Sequence, residues 1–281
     1  MGLQNFTPSI WANGYLESFY KVLVGRGITN SNYQGDIQGQ GSSVRINEYG
    51  DVTINDYTHG ATLSYQSPNS AQKVLYIDQA KYFAVSVDKI DIVQNNPKAI
   101  PGLMAKAAYN MADTVDQFIF SHYASAGATI TAASVSAGNV LNNISDFALA
   151  LDENDVPSVG RWLVIPPWYH QKLWQAVSGA VSVTGTTKVY DDGVLRNGFV
   201  GSLNGFDIFV SNNLTATTKG TDAKVMAGTN EAITFASQLA EIEPVLQRET
   251  TFDQAIRGLY IYGAKVVKPE ALVYCTCTKT A

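Results

Sequence analysis

Cysteine is almost absent: 281 residues contain only Cys275 and Cys277. That excludes a fold stapled by a disulfide framework. The two sit at i and i+2 in Val-Tyr-Cys-Thr-Cys-Thr, on one face of an expected strand. Joining them would bend the backbone, because a disulfide wants Cα atoms about 5.5–6 Å apart; they are read as reduced thiols. Histidine is nearly as scarce, with His59, His122 and His170 far apart in the chain, so no zinc site is expected. Charged residues make up only 15%, the net charge is -5, and no block of lysine or arginine occurs. Nothing here therefore points to tight sequence-specific nucleic-acid binding, while weak tolerance of a nearby anionic surface stays open. No apolar run reaches the ~18 residues that a membrane helix needs. The start, MGLQNFTPSIW, lacks the basic and apolar regions of a signal peptide, and Phe6 breaks the myristoylation pattern. A soluble, cytoplasmically made protein is expected, and the sequons at Asn5, Asn143 and Asn213 are read as chance matches.

Catalytic signatures are equally thin. Gly25-x-Gly27 and Gly39-x-Gly41 lack the third glycine of a dinucleotide site, and there is no phosphate loop, so no cofactor is expected. Asp88, Asp91 and the Asp191-Asp192-Gly193 turn have no partners for a metal site. His122 falls on the buried edge of a helix, where a satisfied histidine is commoner than a base. Glu241 and Glu243, at i and i+2 on a strand, could face one side like a hydrolase carboxylate pair; a solvated strand edge accounts for them more simply.

What is present is a large core and long polar excursions. With 46% hydrophobic residues, a chain of this length can bury roughly 75% of its unfolded surface, divided here between two domains. Residues 1 to about 30 form an arm with one short amphipathic helix, in which Ile10, Trp11, Tyr15, Leu16 and Phe19 recur at helical spacing. Gly25 and Gly27 end it. In GQGSSVRINEYGDVTINDY, residues 39–57, branched residues alternate about a Glu48-Tyr49-Gly50 turn. This predicts a hairpin in which Ile46 faces Val52 and Val44 faces Ile54. A two-stranded ribbon is marginal alone, so its apolar face is expected to pack on another surface. Lys73–Asp78 is a further extended segment, and Tyr82–Asp88 reads as a core strand.

The clearest element is a helix from Asn96-Pro97 to about Tyr123, roughly 38 Å long at ~1.5 Å per residue. Ile100, Met104, Ala108, Met111, Val115 and Phe118 form its apolar stripe. Residues 127–138 read as a linker. Asn139–Leu151 is helical by the spacing of Leu141, Ile144, Phe147/Ala148 and Leu151, Arg161–Ile165 is a buried strand, a helix runs near Trp168–Val177, and Val183–Val194 is loop-rich. Gly198 to Ser211 forms a tight hairpin, and Asn212–Lys224 a polar loop. Strands then return at Val225–Ala227, Ala232–Phe235, Ile242–Arg248, Gly258–Val267 and Leu272–Cys277. The return predicts an α+β chain in which residues 139–230 are inserted into an outer domain.

The order of these segments resembles that of tailed-bacteriophage major capsid proteins of the Hong Kong 97-like fold. The resemblance runs through Ile10-Trp11, Asn32-Tyr33-Gln34-Gly35, Gly39-x-Gly41-Ser-Ser-Val-Arg-Ile-Asn47, Asp78-Gln79-x-Lys81-Tyr-Phe83 and Val85-Ser-Val-Asp88. It continues in Gly198-Phe-Val-Gly201, Gly205-Phe-Asp-Ile-Phe-Val-Ser-Asn212, Ala232-Ile-Thr-Phe-Ala236 and Arg257-Gly-Leu-Tyr-Ile-Tyr-Gly263.

The resemblance implies an N-terminal arm at 1–35 and an extended loop at 36–78. It implies a peripheral domain at 79–138 and 231–281 with a spine helix at 97–123, its sheet completed by the C-terminal strands, and an axial domain at 139–230. It further implies self-assembly through pentamers and hexamers into an icosahedral shell enclosing double-stranded DNA, built in the bacterial cytoplasm and located in the virion. Val44, Arg45, Ile46, Tyr49, Val52 and Ile54 would touch neighbouring subunits from the extended loop, and Ile10, Trp11, Tyr15 and Phe19 from the arm. Asp191, Asp192, Thr218 and Lys219 would lie near the capsomer axis. Copies of the chain are the main partners, joined by a separate scaffolding protein, a portal, a decoration protein and non-specific contact with packaged DNA; no membrane is involved. The alternatives are another self-assembling phage or surface-layer protein, against which the long helix counts, and a hydrolase using Glu241 and Glu243.

Overall fold

The computed structural model describes residues 24–32, 43–49, 53–56, 59–60, 62, 65–66, 70–88, 99–181, 199–245 and 253–280. The expected arm helix, Asn96-Pro97 and the 183–194 loop fall outside them. The strands are β1 (Ser43–Tyr49), β2 (Ser70–Tyr76), β3 (Gln79–Asp88), β4 (Ala128–Val135), β5 (Arg161–Ile165), β6 (Phe199–Leu203), β7 (Phe206–Val210), β8 (Asp222–Thr229), β9 (Ile233–Val245), β10 (Asp253–Val266) and β11 (Leu272–Lys279). The helices are α1 (Ala99–Ser121), α2 (Val140–Asp152) and α3 (Pro167–Val181). A single helical turn, Val24–Gly27, precedes them.

Among the described residues the strands form three sheets: a two-stranded ribbon β1-β2, a three-stranded antiparallel sheet β3-β10-β9, and a six-stranded mixed sheet β4-β11-β8-β5-β7-β6. The long helix forms as its stripe predicts: Ala108, Met111, Ala112, Val115, Ile119 and Phe120 are buried. Phe118 meets Tyr262 of β10 edge-on at 5.2 Å, and Tyr262 tilts against Phe235 of β9, so aromatic contacts lock α1 to the small sheet. At the far end α1 passes into a 3-10 turn, His122–Ser125. His122 Nδ1 donates to Phe118 O at 2.9 Å while its ring packs on Phe118, which makes it the satisfied histidine expected.

In the six-stranded sheet, β5 is buried at every residue and followed by Pro166-Pro167, as predicted. The β6–β7 hairpin turns at Asn204 and Gly205, both with positive φ (51° and 79°), the geometry of a tight hairpin turn. Buried Arg161 donates to Asp152 at 2.7 Å, to Pro157 O at 2.9 Å and to Val156 O, which ties the end of α2 to the start of β5. Cys275 and Cys277 are buried free thiols on β11. Cys275 Sγ lies 3.3 Å from Thr131 O and Cys277 Sγ 3.7 Å from Asn143 Oδ1, an oxygen that also accepts the Tyr169 hydroxyl at 2.9 Å. Asn143 is thus an interior residue, only 5% exposed, and no folded-state glycan acceptor.

Five expectations are corrected. First, β1 does not turn back at Glu48–Gly50; it pairs with β2, Ile46 opposite Lys73 and Val44 opposite Leu75. Strand alternation fixes faces but not partners. Leu75 and Ile77 belong to a small core with Ile46, Ala236, Ile261 and Val267, and that burial selects β2. Second, Tyr82–Asp88 is a sheet edge: β3 lies outermost, and Tyr82 is 78% exposed. Third, residues 127–138 are no linker, since Thr129, Ile130 and Val135 lie in β4 and their β-branched side chains suit a pleated surface. Fourth, the last strand does not complete the small sheet; β11 sits between β4 and β8 in the large one. Fifth, Leu141 of α2 is 38% exposed, leaving Val140, Asn143, Ile144, Phe147 and Leu151 as the buried face. Ala232–Phe235 and Ile242 onward also merge into one strand, β9, whose pairing with β10 shifts register at Leu259/Tyr260.

Candidate assembly surface

The ribbon is fastened to the body from both sides. Lys73 of β2 donates to Val267 O at 2.6 Å, and Lys265 of β10 donates to Val74 O at 2.7 Å. Each lysine therefore holds the other element's backbone by a charge-assisted bond. Gly263 lets the two cross: a Cβ there would fall 2.3 Å from Tyr76 O and 3.0 Å from Ile77 Cα. The apolar face of the ribbon base, Ile46, Leu75 and Ile77, is spent on this joint. Ile46, 7% exposed, is thus corrected from a neighbour contact to a tether, because its side chain is already covered by its own body.

Beyond the joint the chemistry reverses. Ile54 is 95% exposed and Tyr65 92%, while Thr53–Asp56 run without strand pairing. Thr53 N donates to Gln66 Oε1 at 2.9 Å, so the two sides of the excursion remain together. Arg45 is exposed; Val44 and Tyr49 lie within β1, and Val52 lies outside the described residues.

The arm ends at a second joint. Asp116, on the buried side of α1, accepts the Gly25 N–H at 2.9 Å, and also bonds Val24 N–H and the Asn213 side chain. A Cβ at Gly25 would sit 3.0 Å from both Asp116 Oδ1 and Ile119 Cδ1. Burial pushes the Asp116 carboxyl up to about 6, against the pull of its hydrogen bonds. Downstream, Asn30 forms a one-residue parallel bridge beside Thr234, donating to Ile233 O and accepting Phe235 N–H, both at 2.9 Å, so the arm root lies alongside the start of β9. Ile10, Trp11, Tyr15 and Phe19 lie outside the described residues.

Thr218 and Lys219 are exposed in the loop before β8. Asp222 holds that loop from beneath, accepting Thr217 N–H at 2.8 Å and Thr218 N–H at 2.5 Å. Burial acts to raise the Asp222 carboxyl, but these bonds win and hold it below the usual range. Asp191 and Asp192 lie outside the described residues. Glu241 and Glu243 lie on β9, opposite Leu259 and Arg257, at the outer edge of the small sheet. Among the described residues no group of three or more His, Cys, Asp or Glu is placed to hold a metal. The predicted residues that are described do not converge on one cleft; they are spread over the ribbon, the loop before β8 and the edge of β9. Sequence reasoning missed the Asp116 joint, although a carboxylate beside Ala112, Val115 and Ile119 in an apolar stripe was its visible signal.

A ribbon, a small sheet packed on a long helix and a six-stranded mixed sheet make up the Hong Kong 97-like capsid fold. The similarity to solved structures covers almost the whole chain. A protein of Mycobacterium phage Che8 is 27% identical, with 90% of each chain covered and a TM-score of 0.73. The capsid structure of cyanophage P-SCSP1u matches at 16% identity, covering 93% of this chain and 88% of that one, TM-score 0.69. The mature capsid of bacteriophage PhiM1 matches at 16% identity, covering 89% and 87%, TM-score 0.64. No curated protein matches the chain. The family model described as phage capsid protein matches residues 72–275. The chain belongs to that family and is a structural major capsid protein of a bacteriophage.

Proposed function

We propose that copies of this chain close into pentamers and hexamers and then into an icosahedral shell around double-stranded DNA. Assembly takes place in the bacterial cytoplasm, and the product is the virion head. The observation that carries this reading is the ribbon: its base is anchored in its own subunit while Ile54, 95% exposed, is carried away from it. An apolar residue so placed gains cover from another molecule. Head-to-tail contacts of this kind close into rings when their rotation permits, and many weak contacts add through multivalency. The net charge of -5 suits a container that touches DNA without gripping it.

In this reading residues 1–35 are the arm and 36–78 the extended loop. The peripheral domain holds β3, α1, β9 and β10. The axial domain, predicted at 139–230, takes in β4 and β11 through their shared sheet. Val44, Arg45, Tyr49, Val52 and Ile54 serve contacts from the loop; Ile10, Trp11, Tyr15 and Phe19 serve them from the arm; Asp191, Asp192, Thr218 and Lys219 lie toward the capsomer axis. A scaffolding protein, a portal and a decoration protein complete the head, and the chain performs no catalysis.

Negative-stain electron microscopy of the chain expressed alone and with the phage's other head proteins tests this. Rings or closed shells are expected; a chain that stays monomeric under both conditions overturns the reading. A Glu241→Gln/Glu243→Gln variant should assemble like the parent, whereas loss of a hydrolytic activity in that variant would favour the enzyme alternative.

A further inference from the structure

The large sheet is irregular where it holds its two thiols. Against β8, β11 pairs in unbroken register from Leu272 to Thr278, with Thr276 opposite Lys224. Against β4 the pairing jumps from Cys275 opposite Ile130 to Cys277 opposite Ala133, so Thr131 and Ala132 together face Thr276. That bulge brings the Thr131 carbonyl to the Cys275 thiol, which donates to it at 3.3 Å. Cys275 and Cys277 project to one face of the strand, hydrogen-bond to each other, and both meet the Asn143 side chain. Each is 0% exposed, so no surface contact uses either sulfur.

The pair is chemically unequal. Cys277 S–H donates to Cys275, and the Ala133 backbone and the Asn143 side chain add to that bond; together they bring the Cys275 thiol down to about 7 against the opposing effect of burial. The bond to Cys275 and burial push the Cys277 thiol up. Cys275 is therefore the sulfur that gives up its proton first and Cys277 the one that keeps it, the division between an attacking thiolate and a resolving thiol. The backbone lets them join only under strain. Two residues of strand span about 6.6 Å, at ~3.3 Å each, near the upper limit of roughly 6.8 Å for bridged Cα atoms. The β4 bulge leaves slack for the bend, whereas the continuous β8 ladder and the Lys224 Nζ bond to Thr276 Oγ1 at 2.7 Å oppose it. A bridge closed against such resistance is easily reduced again.

We infer that Cys275 and Cys277 form a reversible redox site, a dithiol that hydrogen peroxide converts to an intrachain disulfide. The site is independent of the shell reading above. The Cys275 sulfur attacks the peroxide: an S–O bond forms, the O–O bond breaks, and the Cys275 proton leaves with the departing hydroxyl as water. The Cys277 sulfur then attacks Cys275: the S–S bond forms, the S–O bond breaks, and the Cys277 proton leaves with that hydroxyl as a second water. Two thiols are oxidised by two electrons in all, and one peroxide is reduced to two waters. The protonated dithiol and the disulfide are both uncharged, which suits an interior site. Burial sets the rate, because a small oxidant arrives through local opening of the sheet.

The test is intact-mass spectrometry of the full folded chain. It is incubated with hydrogen peroxide beside a free-cysteine peptide, quenched, unfolded and alkylated. The parent should lose the mass of two hydrogens at the cysteines and take up no alkyl group, a non-reducing digest should yield one peptide carrying the Cys275–Cys277 link, and dithiothreitol should restore two alkylated cysteines. Cys277→Ser removes the resolving thiol and should leave Cys275 as a sulfenic acid that dimedone traps. Cys275→Ser should slow oxidation of the remaining cysteine at least tenfold. The parent result stands by itself if either variant loses its circular dichroism. Two cysteines still fully alkylated after the control peptide is consumed overturn the site. So does sulfinic or sulfonic acid in place of the link, a link between chains, or a bridge that dithiothreitol does not open.

Discussion

Replacing Asp116 with asparagine should flatten one defined part of the stability–pH profile. The carboxyl sits 3% exposed between the arm root and the loop carrying Asn213, and burial raises it from 3.8 to about 6. Between those two pH values the folded chain holds a proton that the unfolded chain has released. By linkage, the stabilising contribution is complete below about pH 4, is lost as the pH rises through about 6, and changes little above that. A shift of about two units corresponds to roughly 3 kcal/mol at ~1.4 kcal/mol per unit. Asparagine keeps an acceptor for Gly25 N–H, carries no titrating proton, and turns an N–H₂ toward the second oxygen's partners. Urea unfolding followed by tryptophan fluorescence from pH 4 to pH 7, below the assembly concentration, reads the difference between parent and variant. Other carboxylates, Asp222 among them, act in the opposite direction but cancel in the difference. The parent should lose up to about 3 kcal/mol relative to Asp116→Asn as the pH rises from 4 to 7. A difference that stays constant across that range would refute the argument that burial controls this group.

Gly263→Val places side-chain atoms where Tyr76 O lies 2.3 Å from the ideal Cβ; the ribbon base should detach, at a cost of about 2–4 kcal/mol, and limited proteolysis should cut near β1 and β2 faster while the large sheet survives. Arg161→Ala leaves two backbone carbonyls and the exposed Asp152 carboxylate without their shared donor and should lower stability by about 1–3 kcal/mol in denaturant titration, the range for leaving a buried acceptor unsatisfied. Cys275 and Cys277 should resist a thiol-specific reagent in the folded chain and react at two per chain in denaturant. Hydrogen bonding to Cys275 and burial push the Cys277 pKa up, so raising the pH to 9 should not open that site.

Regular periodicity carried much of the fold. The α1 stripe, the Trp162–Ile165 apolar run before two prolines and the Asn204-Gly205 turn each state their structure within a few residues, because local sterics and burial agree there. Pairing across distance was not legible. The alternation at Val44 and Ile46 fits any extended partner, and what chose β2 was Leu75 and Ile77 meeting Ala236, Ile261 and Val267, residues far along the chain. The same limit hid the place of β11. Its apolar run predicts a strand, but membership of the large sheet depends on β4, whose small and polar composition looked like a connector.

The position of β11 also sets a timetable for synthesis. Val273 pairs with Ala128 on one side and Ala227 on the other, so β4 and β8 have no strand between them until residues 272–279 leave the ribosome. Until then two strand edges with open hydrogen-bonding groups lie bare, an arrangement prone to mispairing. A nascent chain without its last strand therefore has an unfinished large sheet, and the final residues made are the ones that close it.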